Sequence, residues 1–157
     1  MKLTILAVGR GMPAPLRTLC EEYQHRLQRI GGVTLSEVAE ARRSSAGEAE
    51  RLQGLQFEAQ RLRERLDQTT LLIPLYIGGR NFSSEAFAGE MQRWRDDGER
   101  VTFMIGGPDG LHPELLRMGS WSLSLGPMTF PHLLVRVLLL EQLYRAYTLM
   151  ERIPYHR

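Results

Sequence analysis

The chain has one cysteine among 157 residues, which excludes an internal disulfide framework and leaves no Cys pair for a structural metal site. Its four histidines, His25, His112, His132 and His156, show no ligand spacing with one another, so no metal is expected. Cys20 falls on an apolar helical stripe and reads as a buried thiol in a reducing compartment. No Gly-Lys-Ser/Thr follows a glycine run, which excludes a P-loop, and neither the G-x-G-x-x-G dinucleotide fingerprint nor a G-x-S-x-G nucleophile elbow occurs. Long uninterrupted apolar runs are missing too. The opening Met1–Val8 meets Gly-Arg-Gly at once, where a secretory signal would continue to a cleavage site. Residues 133–150 have the length of a short membrane span, but Arg136, Glu141, Gln142 and Arg145 interrupt them. A cytoplasmic protein with no membrane partner is expected. The net charge of +2 is a weak lean towards a polyanionic partner.

What is present reads as a single domain over residues 1–157, large enough to bury its own core. Lys2–Val8 is a buried first strand stopped by Gly9 and Gly11. Pro13 and Pro15 open a helix whose Leu16, Leu19, Tyr23, Leu27 and Ile30 recur at helical steps, and Gly31-Gly32 ends it. Val33–Ala39 is a second strand, and the polar stretch Glu40–Glu50 is a mobile loop. From about Ala49, Leu52, Leu55, Ala59, Leu62 and Leu66 mark an amphipathic helix with a solvated face of interleaved arginines and glutamates. Thr70–Ile77 is a central strand in which Pro74 predicts an irregularity. After a loop at Gly78–Asn81, Ser83 caps a helix that buries Phe87, Met91 and Trp94. Val101–Ile105 is a further strand, and a short helix near Pro113–Met118 follows the Gly106–Gly110 loop. Ser122–Leu125 begins a final strand. About five strands alternating with five helices predict an α/β fold, a mainly parallel sheet with helices on both faces.

The organising segment is the last third. Pro131 suits the first turn of a helix over 133–150, apolar on most sides. Such a helix must bury most sides, one against its own sheet and the opposite one against a second partner, for which the same helix of another copy is the expected occupant. Three loops follow three consecutive C-terminal strands: Gly78-Gly79, Gly106–Gly110 and Leu125–Phe130. Loops at the carboxyl ends of parallel strands lie on one edge, so the three are expected to converge, with glycines that let a flat ligand approach the main chain.

Gly106-Gly107-Pro108-Asp109-Gly110-Leu111, Ser122-Leu123-Ser124, Met128-Thr129-Phe130-Pro131-His132, Arg136-Val137, Glu141–Ala146 and the terminal Tyr155-His156-Arg157 resemble the RlmH family. Its members are large-subunit ribosomal RNA pseudouridine N3-methyltransferases of the SPOUT superfamily. The similarity spans the chain. It implies a SPOUT-type C-terminal trefoil knot, a homodimer, and S-adenosylmethionine held by Leu75, Gly106 and the run Leu125, Gly126, Pro127, Met128, Thr129 and Phe130. Where the family often has an acidic residue and a lysine, this chain has Tyr76 and Arg80. The rival readings are a SPOUT methyltransferase of another RNA site and a non-enzymatic ribosome-binding factor.

On this resemblance the electrophile is already activated, and the enzyme must align an in-line attack and help an imide nitrogen lose its proton. The residues proposed for catalysis are His156, Tyr155 and Arg157, the first two to assist deprotonation and the last to stabilise the anion or hold a phosphate. His132 is read as a helix-start residue rather than a base. A chain so small and mildly basic is expected to recognise the assembled ribosome rather than bare RNA. Gly106→Val is expected to cost cofactor affinity while the fold survives, and deleting the last three residues to separate binding from methyl transfer.

Overall fold

The computed structural model describes residues 1–42 and 47–156. Four strands, β1 (Lys2–Val8), β2 (Val33–Val38), β3 (Leu71–Arg80) and β4 (Arg100–Ile105), form one sheet in the order β2-β1-β4-β3. Every pairing within it is parallel. Five helices accompany them: α1 (Ala14–Arg26), α2 (Glu48–Arg65), α3 (Ser84–Asp96), α4 (Pro113–Met118) and α5 (His132–Met150). A single 3-10 turn over Leu27–Ile30 extends α1.

The central strands β1 and β4 are buried from both faces, which is why KLTILAV and VTFMI read as continuous apolar runs rather than alternating ones. One face carries Leu3, Ile5, Ile73 and Phe103 towards α1, α3 and α5. The other carries Leu6, Val8, Leu72 and Met104 towards α2 and α4. Cys20 is buried in the first of these clusters, and burial pushes its thiol pKa up. Leu19, read as part of the α1 stripe, is instead exposed, because the stripe runs through Leu16, Cys20, Tyr23 and Leu27. On α2, Leu55, Ala59 and Leu62 are buried while Leu52 is exposed. The arginine face is solvent-facing, with Arg51 paired to Glu48 and Arg63 to Glu114. The predicted loop over Glu40–Glu50 partly lies outside the described residues, at 43–46, and α2 already begins at Glu48.

Two expected elements differ. No fifth strand forms at Ser122–Leu125; Leu123 makes only isolated bridges to Leu75 and Arg80. The loop expected at Gly78–Asn81 is in fact the end of β3, which runs on through Gly78 and Gly79 to Arg80. Pro74 explains both. Pairing of β3 with β4 stops at Pro74, which has no N–H to continue the ladder, and the strand then takes the 122–124 segment as its neighbour. Arg80 N–H donates to the Ser122 carbonyl at 2.7 Å and Ser124 N–H to the Arg80 carbonyl at 2.9 Å. Gly79 is where the two backbones touch, since an added Cβ would lie 2.5 Å from the Ser122 oxygen. A side chain there would break the junction.

Helix α5 starts at His132, with Pro131 in the N-cap position just outside the first turn. It packs chiefly between α1 and α3 rather than on the strands. Leu139, Leu140, Leu143, Ala146 and Tyr147 are buried there. Leu134, Leu138, Glu141, Arg145 and Leu149 form a stripe that the single chain leaves half-buried. No helix among the described residues is long and apolar enough to cross a membrane.

Candidate active site

The carboxyl ends of β3 and β4 and the segment leading into α5 enclose a cavity of about 680 Å³. That volume suits a cofactor-sized ligand. Leu75, Tyr76 and Ile77 come from β3, Gly106 to Leu111 from the loop after β4, and Leu125, Gly126, Met128, Thr129 and Phe130 from the loop before α5. His132 and Val135 close the side formed by α5 itself. Three loops do converge, but the first contributes the strand residues before Gly78 and not the glycines.

Each wall has a local cause. Gly106 must be glycine because an added Cβ would overlap the Gly110 carbonyl group and sit 2.7 Å from the Leu111 nitrogen. The loop folds back on itself there, with Gly110 N–H donating to the Gly107 carbonyl at 2.9 Å and Gly110 at φ +79°. The run 125–130 is held by Ser124, a buried residue whose hydroxyl donates to the Ile77 carbonyl at 3.0 Å and accepts from Gly126 N–H at 3.1 Å. Gly126 has φ +122°, and an added Cβ there would meet no atom within 4 Å. Here glycine serves the backbone turn alone, and the main chain of the loop stays approachable from the cavity.

The start of α5 is fixed by Arg136, fully buried at 0% exposure. Its guanidinium donates to the carbonyls of Val8 at 2.6 Å and Gly9 at 2.9 Å and pairs with Glu37 Oε1 at 2.5 Å. The charge thus ties the helix that carries His132 to the ends of β1 and β2. Burial pushes the Arg136 pKa down, against the attraction of Glu37. His132 packs against the same corner: an added Cβ at Gly9 would lie 3.0 Å from its Nε2. Burial pushes the His132 pKa below its ordinary value, and Arg136 adds to the effect. Neither Ser124 nor Arg136 is singled out as a site residue by the sequence, although an arginine inside a Leu/Val run is a legible sign of a buried, paired charge.

The family model described as "Predicted SPOUT methyltransferase" matches residues 1–156. The chain belongs to the SPOUT methyltransferase family. It is therefore an enzyme of the methyltransferase class. Its relatives include the Ribosomal RNA large subunit methyltransferase H of Magnetococcus marinus, 45% identical over 99% of both chains. The protein of the same name from Hyphomonas neptunium is 42% identical over 100% of this chain and 99% of its own. A solved methylase family protein from Neisseria gonorrhoeae matches with a TM-score of 0.53 at 12% identity, over 99% of this chain and 95% of that one. At that identity the likeness speaks to fold alone.

In this SPOUT methyltransferase the residues named from the resemblance divide into two places. Leu75, Gly106, Leu125, Gly126, Met128, Thr129 and Phe130 line the cavity; Pro127 does not. Tyr155 and His156 do not line it either, and Arg157 lies outside the described residues. The tail is seated, not frayed. Tyr155 packs edge-on against Tyr144 at 4.9 Å between ring centroids, lies under the Arg145 guanidinium, and donates its hydroxyl to Glu141 at 3.2 Å. Burial, with Tyr23 and Glu141 alongside, pushes its pKa well above the usual tyrosine value, so at neutral pH it has no phenolate to act as a base. His156 is held by Glu85 at 3.0 Å and lies 3.4 Å from Arg145. A second cavity of about 440 Å³ shares Leu123, Leu125, Gly126 and Phe130 with the first and reaches Gln142 of α5. The segment Leu123–Phe130 is the partition between the two.

Proposed function

We propose that this chain, acting as one domain over 1–157, methylates N3 of a pseudouridine in large-subunit ribosomal RNA, using S-adenosylmethionine on the assembled ribosome in the cytoplasm. The observation that carries the reading is the convergence of Leu75–Ile77, Gly106–Leu111 and Leu125–Phe130 on one cavity beside the start of α5. The relatives named for large-subunit ribosomal RNA methylation, similar over the whole chain, support the substrate.

The residues fit the cofactor. Apolar Leu75, Leu125, Met128 and Phe130 offer a lining for a flat base, and the open space beside Gly126, whose N–H is held by Ser124, lets a ligand come close to the loop main chain. S-adenosylmethionine supplies a methyl group already activated on a sulfonium. The protein's work is then to hold that ligand in a largely apolar cavity, position the base and favour loss of one proton. His156, oriented by Glu85, is the candidate to receive that proton; Tyr155 orients and Arg157 holds the anion or a phosphate.

Tyr155 and His156 do not line the cofactor cavity of their own chain, so this reading includes a homodimer in which the half-buried stripe of α5 meets its copy. Each tail would then serve the partner's cavity. The implied trefoil knot belongs to the same reading.

The test is transfer of tritiated methyl groups to three substrates: assembled ribosomes, large subunits and deproteinised 23S RNA. Strong preference for assembled particles, with the label recovered in pseudouridine, is the expected result. Equal labelling of bare RNA overturns the ribosome assignment, and label in another nucleotide overturns the substrate.

A further inference from the structure

The chain has five phenylalanines, five tyrosines and two tryptophans, and nearly all of them are paired inside the fold. Phe82, Phe87, Trp94, Phe103 and Trp121 form one ring cluster, and Tyr23, Tyr144, Tyr147 and Tyr155 another. Phe57 is covered by Arg61, with 3.9 Å from guanidinium carbon to ring centroid. Among the described residues only Tyr76 and Phe130 have neither a ring nor a cation on them, and both line the same cavity. Aromatic faces are ordinarily used where they occur, because a stacked or edge-on partner adds to the burial of the ring. Two unused faces at one cavity are therefore informative.

Tyr76 is the more unusual of the two. It is 49% exposed, beside Ile77 at 49%, on the part of β3 beyond Pro74 where no strand pairs with it on the β4 side. Its ring is nevertheless placed. Residues 76 and 78 share a face of the strand, and an added Cβ at Gly78 would lie 2.6 Å from Tyr76 Cε1 and 3.3 Å from Cδ1 and Cζ. The ring leans along the backbone into the space that glycine leaves, and about half of the residue is open to solvent. Its hydroxyl makes no hydrogen bond among the described residues, so nothing polar explains the orientation. A large ring whose Cε1 edge occupies the space a glycine leaves, with no ring or cation on it, is available to a stacking partner at the edge of the site.

We propose that Tyr76, cradled by Gly78 at the rim of the cavity, is a stacking platform for a nucleobase entering the site. This rests on the methyltransferase reading above, in which two such rings are at hand: the adenine of the cofactor and a base of the RNA. Stacking asks for a π-face and little else, so the geometry selects the ring chemistry and experiment selects its source.

Binding measurements serve both arms. S-adenosylhomocysteine is titrated calorimetrically into the wild type and into Tyr76→Phe, Tyr76→Leu and Gly78→Ala. Purified assembled ribosomes and large ribosomal subunits are titrated against the same four proteins in the presence of S-adenosylhomocysteine. In one arm, Tyr76→Leu, which keeps apolar bulk and loses the π-face, should weaken binding by about 5- to 150-fold, the range of base–aromatic stacking. Tyr76→Phe should keep wild-type affinity. Gly78→Ala, which moves the ring without altering it and carries no positive-φ strain, should lose part of the same affinity, and its effect should vanish when Tyr76 is already Leu. A loss confined to S-adenosylhomocysteine identifies the adenine, and a loss confined to ribosomes or subunits identifies an RNA base. Tyr76→Leu with wild-type affinity in both arms, in a protein whose circular dichroism and melting are unchanged, overturns the proposal. So does Tyr76→Phe as weak as Tyr76→Leu. Failure of the wild type to transfer methyl groups to ribosomal RNA is a separate result and strikes the function alone.

Discussion

At the scale of residues, glycines and two buried polar groups shape the site more than any reactive side chain. Gly106 was expected to be small for the ligand's sake. The structure gives another reason, since the atoms an added side chain meets belong to Gly110 and Leu111 of the same loop. Gly106→Val should therefore lower folding stability by about 2 to 3 kcal/mol as well as cofactor affinity, measured by denaturant unfolding beside calorimetry. A variant as stable as the wild type would return the position to direct ligand contact. His132 yields a pH prediction. Its folded pKa lies below the ordinary value of 6.5, burial being the main cause. Between the two values the unfolded chain binds a proton that the folded chain does not, so the stability His132 contributes is complete above about pH 7 and falls as pH drops through 6.5. Unfolding free energies measured from pH 5 to 8 should show that decline, at most about 1.4 kcal/mol per pH unit for one proton. The His132→Gln variant should show a shallower one.

At the scale of elements, the end of α5 decides where the tail lies. Arg152 has φ +54°, the only positive φ outside glycine among the described residues. Ile153 N–H returns to the Thr148 carbonyl at 2.8 Å and Arg152 N–H to Leu149 at 3.3 Å, the hydrogen bonds of a Schellman turn in which glycine is the usual occupant. That turn folds the last residues back along α5, so that Tyr155 reaches Glu141, Tyr144 and Arg145. Arg152→Gly relieves the strained backbone and should stabilise the protein by about 0.5 to 1 kcal/mol, read as a rise in melting temperature with methyl transfer unchanged. A lower melting temperature would mean that the arginine side chain supports the turn in some other way. The same seating alters the expected cost of losing the tail, because Tyr155 leaves an aromatic contact and a Glu141 hydrogen bond behind.

At the scale of the whole molecule, the prediction concerns two copies. A mixed dimer of one subunit lacking residues 155–157 and one carrying Phe130→Ala should retain a single working site, formed by the intact cavity of the first and the tail of the second. Phe130 replaces Gly106 in this design because its truncation removes a cavity-lining ring rather than colliding with the loop backbone. Single-turnover methyl transfer by the mixed dimer, with both parent homodimers inactive, is the expected outcome. A mixed dimer that is paired by light scattering and as inactive as its parents shows that the tail does not act across the interface.

Much of the architecture is local and was therefore legible. Apolar runs of six or seven residues, Ser83 as a cap and Pro113 opening a helix each depend on neighbours in sequence, and the observed β1, β2, β4, α3 and α4 lie within a residue or two of the expected bounds. The meeting of the carboxyl ends of β3 and β4 followed from strand direction, since parallel strands put those ends on one edge. The Leu125–Phe130 run, which no strand precedes, is instead brought there by the bonds between Ser122, Ser124 and Arg80. What sequence left open depends on partners far along the chain. Pro74 announced an irregularity but could not say that β3 would leave β4 for Ser122–Ser124 and so absorb the Gly78-Gly79 loop. Arg136 reads in sequence as a polar interruption, whereas in the fold Val8, Gly9 and Glu37 surround it, and nothing near the tail in sequence announces that the turn at Arg152 lays Tyr155 on α5. Motifs record which residues are needed; only the assembled fold sets which of them meet, because a buried charge, a strand exchange and a reversed terminus each take their energy from atoms tens of residues away.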